Sequence, residues 1–351
     1  MKAPKYFICI LLSVVPFLTI GQKNNAVIIK NLDVIQTSTP GVSNFWLEMG
    51  VNTYGYPMLM PVIVIKGSSS GSTLGLTAGI HGNELNGIPI IHELLENIDF
   101  KKLKGTIIAI PGLNVFSIQV DERRFIDEED LNRNFPGKKN GNRSQQYVSK
   151  INELILPSFD FMIDMHTASF GRINTMYARA DLKNDTLKLL AKLQQPDIIL
   201  NSIGASTANG AVSSPRTMRA EAVLKGIPCI TVEYGNPQVF QKELTERGLK
   251  GIMNTLNALE MYGNNKHKEL VDKATYCKKS YWIYMNEGGF LEVPVELNQR
   301  IQKGDKIGIV KDAFGNILNE YLAPEDGIVI GKSTNPSNMS GGRIIHLGIM
   351  Y

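Results

Sequence analysis

A histidine and a glutamate lie three residues apart in "TAGIHGNELNG", residues 77–87. An apolar stretch ends just before His81 and a helical pattern follows Glu84, so both side chains can point to one place at a strand end. Imidazole nitrogen and carboxylate oxygen bind Zn²⁺ at about 2.0–2.2 Å, and a catalytic zinc site uses three protein ligands and leaves a fourth position to water. Because a His-x-x-Glu pair often arises by chance, this interpretation requires a third ligand.

His166 is the candidate for the third ligand. It is one of five histidines, and it ends the apolar strand pattern "FDFMIDMH". In open α/β sheets, ligands bind at the carboxyl ends of strands, where His81 is also expected. Asp164, two residues earlier on the same strand face, can be a hydrogen-bond partner of the ligand. The alternative interpretation of His166 is an ordinary polar residue at a strand end.

Glu233 is the candidate base at the same edge of the sheet. It follows the apolar run "IPCITV" and precedes "YGNP", so it ends another buried strand. A carboxylate without a function is costly to desolvate in such a position. Beside a metal ion, it can accept a proton from water and pass it to a leaving amine.

A polar loop completes the set of candidate residues. Arg, Asp and Asn side chains lie together in "RRFIDEEDLNRNFPG", residues 123–137. A guanidinium can bind a carboxylate through two hydrogen bonds and can also stabilise an oxyanion. The alternative is a solvated charged loop, but Leu131, Phe135 and Pro136 favour a loop that packs against the protein.

Alternating strand and helix patterns must position these residues. Short runs rich in Val, Ile and Thr alternate with segments whose apolar residues recur every three or four positions. This order predicts an α/β domain with a largely parallel or mixed sheet over residues 22–270. The pattern then changes to short alternating segments separated by Gly-Asp and Asp-Gly turns, which predicts a small all-β domain over residues 271–351.

The N-terminus and the composition bear on localisation and partners. Lys2 and Lys5 precede an apolar run that is short for a membrane-spanning helix. This pattern predicts a signal peptide over residues 1–21, and therefore an exported, periplasmic or extracellular protein with no stable membrane insertion after cleavage. The alternative is an uncleaved anchor. The net charge is +4, but Lys and Arg are scattered, so nucleic acid is not an expected partner.

Four motifs together resemble a known family. In chain order they are "HGNE" at 81–84, "DLNRNFPG" at 130–137, "DMHTASFGRINTMYARAD" at 164–181 and "ITVEYGNP" at 230–237. Their order and spacing are similar to those of the succinylglutamate desuccinylase/aspartoacylase family of zinc-carboxypeptidase-like hydrolases. The resemblance implies an α/β fold with a zinc-carboxypeptidase-like mixed sheet flanked by helices. It also implies a terminal β domain similar to a biotinyl/lipoyl-type barrel.

The resemblance implies a role for each residue that matches the family pattern. His81, Glu84 and His166 match the ligands of one zinc ion, and Glu233 matches the general acid/base. Zinc at such a site lowers the pKa of its water to about 7. The expected cofactor is therefore a single Zn²⁺ ion.

The polar loop matches the residues that bind the substrate in this family. Asn132 and Arg133 match a pair that binds a substrate carboxylate. An arginine shortly before that pair polarises the scissile carbonyl; Arg124 fits best, and the adjacent Arg123 is the alternative. Two further residues, in "GRINTMY", match pocket residues of one subfamily: Arg172 and Asn174.

Three functions are compatible with these expectations. The first is a zinc-dependent amidohydrolase that releases a short acyl group from a small anionic N-acyl amino acid or related amine, with ester bonds as a further target. The second is a metallocarboxypeptidase, which would need an open groove for a peptide. The third is a zinc- or ligand-binding protein without activity. We favour the first, because the base and all the ligands are present and the resemblance is to deacylases.

Overall fold

The computed structural model describes residues 26–203, 207–208, 211–212, 215–263 and 271–351. The predicted signal peptide over residues 1–21 lies outside the described residues. Within the described ranges the α-helices are α1 (Val34–Thr37), α2 (Gly87–Asn97), α3 (Val115–Gln119), α4 (Arg143–Lys150), α5 (Asp185–Leu193), α6 (Met218–Leu224) and α7 (Lys242–Ala258). None of these helices is both long and apolar enough to cross a lipid bilayer.

The strands are β1 (Val27–Ile29), β2 (Gly41–Val51), β3 (Pro57–Lys66), β4 (Ser69–Ala78), β5 (Lys104–Ile110), β6 (Phe161–His166), β7 (Arg172–Asn174), β8 (Met176–Ala180), β9 (Ile198–Asn201), β10 (Thr207–Ala208), β11 (Ala211–Val212), β12 (Cys229–Tyr234), β13 (Thr275–Tyr284), β14 (Gly289–Glu292), β15 (Arg300–Ile301), β16 (Lys306–Lys311), β17 (Ile317–Leu322), β18 (Gly327–Ser333), β19 (Ser337–Asn338) and β20 (Arg343–Met350).

A large sheet of mixed direction runs through the protein. Its strand order is β1-β2-β3-β5-β4-β6-β12-β8-β9-β13-β20-β18-β15. At its centre β5, β4, β6 and β12 are parallel neighbours, whereas β8 is antiparallel to β12. The predicted mixed α/β sheet is therefore confirmed. Because β4, β6 and β12 run in the same direction, the residues at their carboxyl ends meet at one edge of the sheet.

Helices cover both faces of the central strands. Side chains of α2, α5 and α7 pack on one face, where Ile90, Leu190 and Ile252 are buried. Residues of α4 and α6, such as Val148 and Met218, pack on the other face. Burial on both faces explains why these strands are continuous apolar runs in the sequence rather than alternating ones.

The first turn of α2 lies very close to the sheet. A Cβ atom at Gly87 would lie 2.7 Å from the Cβ of Ala78 on β4 and 2.8 Å from the Cβ of Met165 on β6. Contacts this short exclude a side chain, so only glycine allows the helix to begin here. The turn between β4 and α2, which contains His81 and Glu84, is thereby held against the ends of two strands.

Residues 271–351, called here the terminal β unit, form only strands, β13 to β20. Strand β13 pairs in parallel with β9, so the unit continues the large sheet. Strands β14, β16, β17 and β19 form a separate antiparallel sheet, which confirms a small C-terminal β structure. Strand β7 pairs with β18 of the unit. The domain limits at residues 22–270 and 271–351, and the likeness to a biotinyl/lipoyl-type barrel, stay predictions.

Candidate active site

Three candidate ligands come together at the carboxyl edge of the sheet. His166 is the last residue of β6, and His81 and Glu84 lie in the turn between β4 and α2. The backbone N–H of Glu84 donates to the carbonyl of His81 over 3.1 Å, which fixes this turn. One ligand atom of each residue lies within 4.8 Å of the others, and all three residues are buried. The structure thus brings together the residues that the sequence identified as metal ligands.

Both histidines present Nδ1 to Glu84 and direct Nε2 toward an aspartate. Nδ1 of His81 lies 2.9 Å from Oε1 of Glu84, and Nδ1 of His166 lies 2.8 Å from Oε2. Nε2 of His81 lies 3.0 Å from Asp130, and Nε2 of His166 lies 2.9 Å from Asp164. An aspartate beside Nε2 favours the tautomer with the proton on that nitrogen, which leaves Nδ1 free to bind a metal.

The arrangement fits a divalent metal ion. Nδ1 of His81 is buried and makes no hydrogen bond, although it faces the carboxylate of Glu84. A buried polar atom without a partner costs free energy, and a metal ion shared by the two groups would satisfy it. With His166, the cluster offers two imidazole nitrogens and one carboxylate oxygen, which is the donor set of many catalytic zinc sites.

The carboxylates of this cluster are held in their charged form. Burial alone would raise the pKa of Glu84, but the charge of His81 and the contact with His166 hold it well below its usual range. Burial also opposes ionisation of Asp130, yet its contact with His81 and the charge of Arg123 lower its pKa. Metal binding requires such deprotonated ligands.

Glu233 lies beside the cluster on β12. It pairs with His166 in the register of β6 and β12, so the two residues are level at the sheet edge. Its Oε1 lies 3.3 Å from the hydroxyl of Tyr177, and its Oε2 lies 3.5 Å from Nδ2 of Asn174. Burial, together with the charge of Glu84, raises the pKa of Glu233. A carboxylate with a raised pKa is suited to accept and return a proton.

Of the two adjacent arginines, the structure brings Arg123 rather than Arg124 to the cluster. Nη1 of Arg123 donates to Glu84 over 2.7 Å, and its Nη2 donates to Asp130 over 2.9 Å. Arg124 is exposed. The expectation that Arg124 fits best is corrected by this geometry. The next residue, Phe125, is buried and anchors the loop, so that Arg124 faces solvent while Arg123 faces the site.

Asn132 and Arg133 differ in their exposure. Asn132 is buried: its Oδ1 accepts the backbone N–H of Met218 over 2.8 Å, and its Nδ2 lies 3.5 Å from Nε2 of His166. Arg133 is exposed, and its Nη1 donates to the carbonyl of Asn132 over 2.8 Å. Asn132 therefore contacts His166 of the candidate ligand cluster, whereas Arg133 is accessible to a ligand from solvent.

Arg172 and Asn174 lie on the same face of β7, because side chains alternate along a strand. Asn174 contacts Glu233, so Arg172 is on the side of β7 that faces the site. Burial and the charges of Arg123 and Arg343 lower the pKa of Arg172. The two residues predicted in "GRINTMY" therefore flank the proposed base.

Three residues at the site were not indicated by the sequence patterns: Asp130, Tyr177 and Arg179. Nη2 of Arg179 donates to the hydroxyl of Tyr177 over 2.7 Å, and its Nε lies 3.8 Å from Oε1 of Glu233. A signal was available in the sequence, since Tyr177 and Arg179 alternate in "TMYARA" and so share one strand face. Asp130 directly precedes the Leu-Asn-Arg segment that was identified.

Comparisons with known proteins point to one family. The sequence profile of the family described as Succinylglutamate desuccinylase/Aspartoacylase catalytic domain matches residues 70–259. The N-alpha-acetyl-L-2,4-diaminobutyric acid deacetylase of Halomonas elongata is 25% identical over 292 residues. This match covers 78% of the present chain and 81% of that protein.

Two solved structures share the fold. The succinylglutamatedesuccinylase/aspartoacylase from Rhodobacter sphaeroides is 21% identical with a TM-score of 0.79, and the match covers 92% of this chain and 99% of that chain. The product-bound ectoine utilization protein EutE (DoeB) from Ruegeria pomeroyi is 22% identical with a TM-score of 0.77, over 89% and 96% of the two chains. With a family profile that matches more than half of its residues, the chain belongs to the succinylglutamate desuccinylase/aspartoacylase family.

Proposed function

We propose that this protein is a zinc-dependent hydrolase that cleaves the amide bond of a small N-acyl amino acid or related N-acyl amine. The observation that carries the proposal is the position of Glu233 on the strand next to the cluster of His81, Glu84 and His166. The name of the Halomonas elongata relative, a deacetylase of an acetylated amino acid, supports the same reaction for this chain.

The side chains of the cluster have distinct roles in this reaction. His81, Glu84 and His166 would hold Zn²⁺, which when bound supplies a Lewis acid and lowers the pKa of a water molecule. Glu233 accepts the proton of the attacking water and donates it to the departing amine nitrogen. Because Glu233 is level with His166 at the sheet edge, its carboxylate is placed to take up this proton and release it within one turnover.

The polar loop binds and polarises the substrate. Arg133 is exposed at the site, so its guanidinium can take a substrate carboxylate through two hydrogen bonds. Asn132 lies between Arg133 and His166 and orients the same group. Arg123 is placed to stabilise the negative charge that develops on the carbonyl oxygen, because it is already held beside the metal cluster by Glu84.

Replacing Arg123 with Gln is expected to lower kcat/KM by about 10²–10³-fold, since the developing oxyanion loses a charged donor. Arg124→Gln is the matched control, because Arg124 is exposed, and it is expected to leave kcat/KM nearly unchanged. Both variants are assayed on the same N-acyl amino acid with metal content measured in parallel, since Arg123 also contacts Glu84. If only Arg124→Gln loses activity, Arg124 rather than Arg123 stabilises the developing oxyanion.

A metallocarboxypeptidase is the alternative from the sequence, and it needs an open groove for a peptide. The pairing of β18 with β7 places the terminal β unit beside Arg172 and Asn174, which supports a small substrate instead. Product analysis separates the two functions. The zinc-loaded protein is incubated with N-acyl amino acids, including N-acetyl-2,4-diaminobutyrate, and with peptides that have free carboxyl termini.

We expect the acyl acid to be released from the N-acyl compounds, with the peptides left intact. Release of the C-terminal amino acid from the peptides, with the N-acyl amino acids left intact, would overturn the proposal in favour of the peptidase.

We propose further that the substrate is anionic, as a carboxylate-binding role of Arg133 would require. We also propose that it is met outside the cytoplasm, as a cleaved signal over residues 1–21 would require. Mass spectrometry of the N-terminus, on protein from separated fractions of its native cells, tests this. A chain that begins near residue 22 in the exported fraction is expected. A cytoplasmic chain that still carries residues 1–21 would contradict export.

A further inference from the structure

Two amide side chains that directly precede helices contact each other instead of their own helices. Asn86 precedes α2, and Gln241 precedes α7. An asparagine in this position commonly accepts a hydrogen bond from a backbone N–H of the first helical turn. Within the described residues, neither side chain makes such a bond with its own helix. Stabilisation of a helix start therefore does not explain these two amides.

The side chain of Asn86 bonds to the end of β12 and to the start of α7. Its Nδ2 donates to the carbonyl of Tyr234 over 2.7 Å and to Oε1 of Gln241 over 3.2 Å. Its Oδ1 accepts the backbone N–H of Gln241 over 3.0 Å. Oε1 of Gln241 also accepts the backbone N–H of Asn236 over 2.7 Å. Because Asn86 is fully buried, a missing bond here would leave a polar group without a partner, which is costly.

These bonds connect the segment after a candidate metal ligand with the segment after the proposed base. Asn86 comes two residues after Glu84, and Tyr234 directly follows Glu233 in the sequence. Tyr234 is also the last residue of β12. The bond from Asn86 to the carbonyl of Tyr234 therefore ties the end of β12 to the turn that contains His81 and Glu84.

The candidate ligands are joined to one another by separate contacts. Nδ2 of Asn83 donates to Oγ of Ser169 over 2.9 Å, which connects the turn of the first two ligands with the segment after His166. The backbone N–H of Gln238 donates to the carbonyl of Asn83 over 3.0 Å, so the loop after β12 has a second contact with this turn. Loss of the Asn86 side chain should therefore release the end of β12 while the ligands keep their places.

We propose that Asn86 and Gln241 are positioning residues that hold Glu233 at its distance from the metal ligands. The inference rests on the proposed function, in which Glu233 must reach both the attacking water and the departing amine. Its side-chain contacts with Tyr177 and Asn174 are long, at 3.3 and 3.5 Å, so its carboxylate depends on the backbone of β12 for its position. A displacement of about 1 Å can lower a rate by roughly 10²-fold.

The first test is Asn86→Ala, which removes the bond to Tyr234 and both bonds to Gln241. We expect kcat for an N-acyl amino acid to fall by about tenfold or more, because the base is displaced from the reacting groups. KM and the affinity for Zn²⁺ should stay near those of the wild type, since Asn86 contacts neither the candidate ligands nor Arg133 among the described residues. Unchanged kcat, or a loss of Zn²⁺ binding that accounts for the lower kcat, would overturn the proposal.

Gln194→Ala is the matched control for a general loss of stability. Gln194 is also a fully buried amide, and its Nε2 donates to Oγ1 of Thr255 on α7 over 2.8 Å, away from Glu233. We expect this variant to unfold at a lower temperature and to keep its kcat. Both variants are assayed at a temperature where circular dichroism shows them folded. An equal fall of kcat in the two variants would reduce the role of Asn86 to stability and overturn the proposal.

Gln241 allows a test by conservative replacement. Among the described residues, its side chain acts in this network through Oε1, which accepts two N–H groups. Gln241→Glu keeps an oxygen in this position and is expected to retain most of the wild-type kcat, whereas Gln241→Leu is expected to lose kcat as Asn86→Ala does. The two losses should be less than additive in the variant that combines Asn86→Ala with Gln241→Leu, because one network carries both. Additive losses, or equal kcat in the two Gln241 variants, would overturn the proposal.

Crystal structures of the wild type and of Asn86→Ala, both grown with Zn²⁺, measure the position of Glu233 without turnover. We expect the end of β12 to move away from Glu84 by about 0.5 Å or more, while His81, Glu84 and His166 superpose. An end of β12 that stays in place would overturn the proposal. If β12 moves as expected but the wild type hydrolyses no N-acyl compound, the positioning of Glu233 is supported and the proposed function is overturned.

Discussion

Replacing Glu233 with Gln is expected to lower kcat by about 10²–10⁴-fold while the metal stays bound. The amide keeps the shape of the side chain and its contacts with Tyr177 and Asn174, but it can no longer accept and return a proton. Glu233 is not one of the clustered ligands, so metal binding should survive. Steady-state kinetics and metal analysis of the same preparation measure both effects.

Glu246→Gln is a matched control for this substitution. Glu246 is exposed on α7, where it contacts Lys242 over 3.8 Å. Its replacement is expected to change neither kcat nor the amount of bound metal. If Glu233→Gln loses both its metal and its turnover, Glu233 helps to hold the metal rather than to transfer the proton. Unchanged turnover would remove Glu233 from the reaction.

Replacing His166 with Ala is expected to abolish metal binding and turnover together. The change removes one of three ligands and leaves Glu84 and Asp164 without contacts of 2.8 and 2.9 Å. Because a metal ion contributes several kcal/mol to such a reaction, turnover should fall by on the order of 10³-fold or more. Competition with a chromogenic chelator measures the affinity for Zn²⁺, and kinetics measures the loss of turnover.

His92→Ala serves as the control for this second substitution. His92 is exposed on α2, two turns beyond Glu84. Its replacement should change neither the affinity for Zn²⁺ nor the turnover. Circular dichroism establishes that both variants are folded. A folded His166→Ala variant that binds Zn²⁺ with the affinity of the wild type would show that His166 is not a ligand.

The sequence alone predicted the ligand cluster because strand ends decide where its residues lie. His166 and Glu233 each end a long apolar run, and parallel neighbouring strands bring such ends to one edge. His81 and Glu84 follow a third run in the same orientation. Periodicity locates each strand end, and the alternation of strands with helices favours parallel strands whose carboxyl ends share one edge.

Other parts of the site depend on contacts that no local pattern contains. Arg123 and Arg124 are adjacent and chemically identical, and which of them faces Glu84 depends on the packing of this loop, in which Phe125 is buried. The packing of His346 of β20 against Tyr177 depends on pairings of β13 with β9 and of β18 with β7. These pairings join segments far apart in the chain, and periodicity gives the presence of a strand but not its partner.

The position of the terminal β unit changes how this family member can be understood. The resemblance implied a terminal β domain, and in the structure strands of this unit continue the large sheet and its side chains reach the surroundings of Glu233. Because His346 of this unit packs against Tyr177, the unit is part of the surroundings of Glu233.

Titration of the metal-depleted protein with Zn²⁺ is the most direct test of the central claim, that the cluster of His81, Glu84 and His166 holds one metal ion on which deacylation depends. Turnover of an N-acyl amino acid is followed after each addition, with His166→Ala as the control. We predict no turnover before addition, a linear rise, a plateau at one ion per chain, and no response from the control. Full turnover by the metal-depleted protein would contradict the claim.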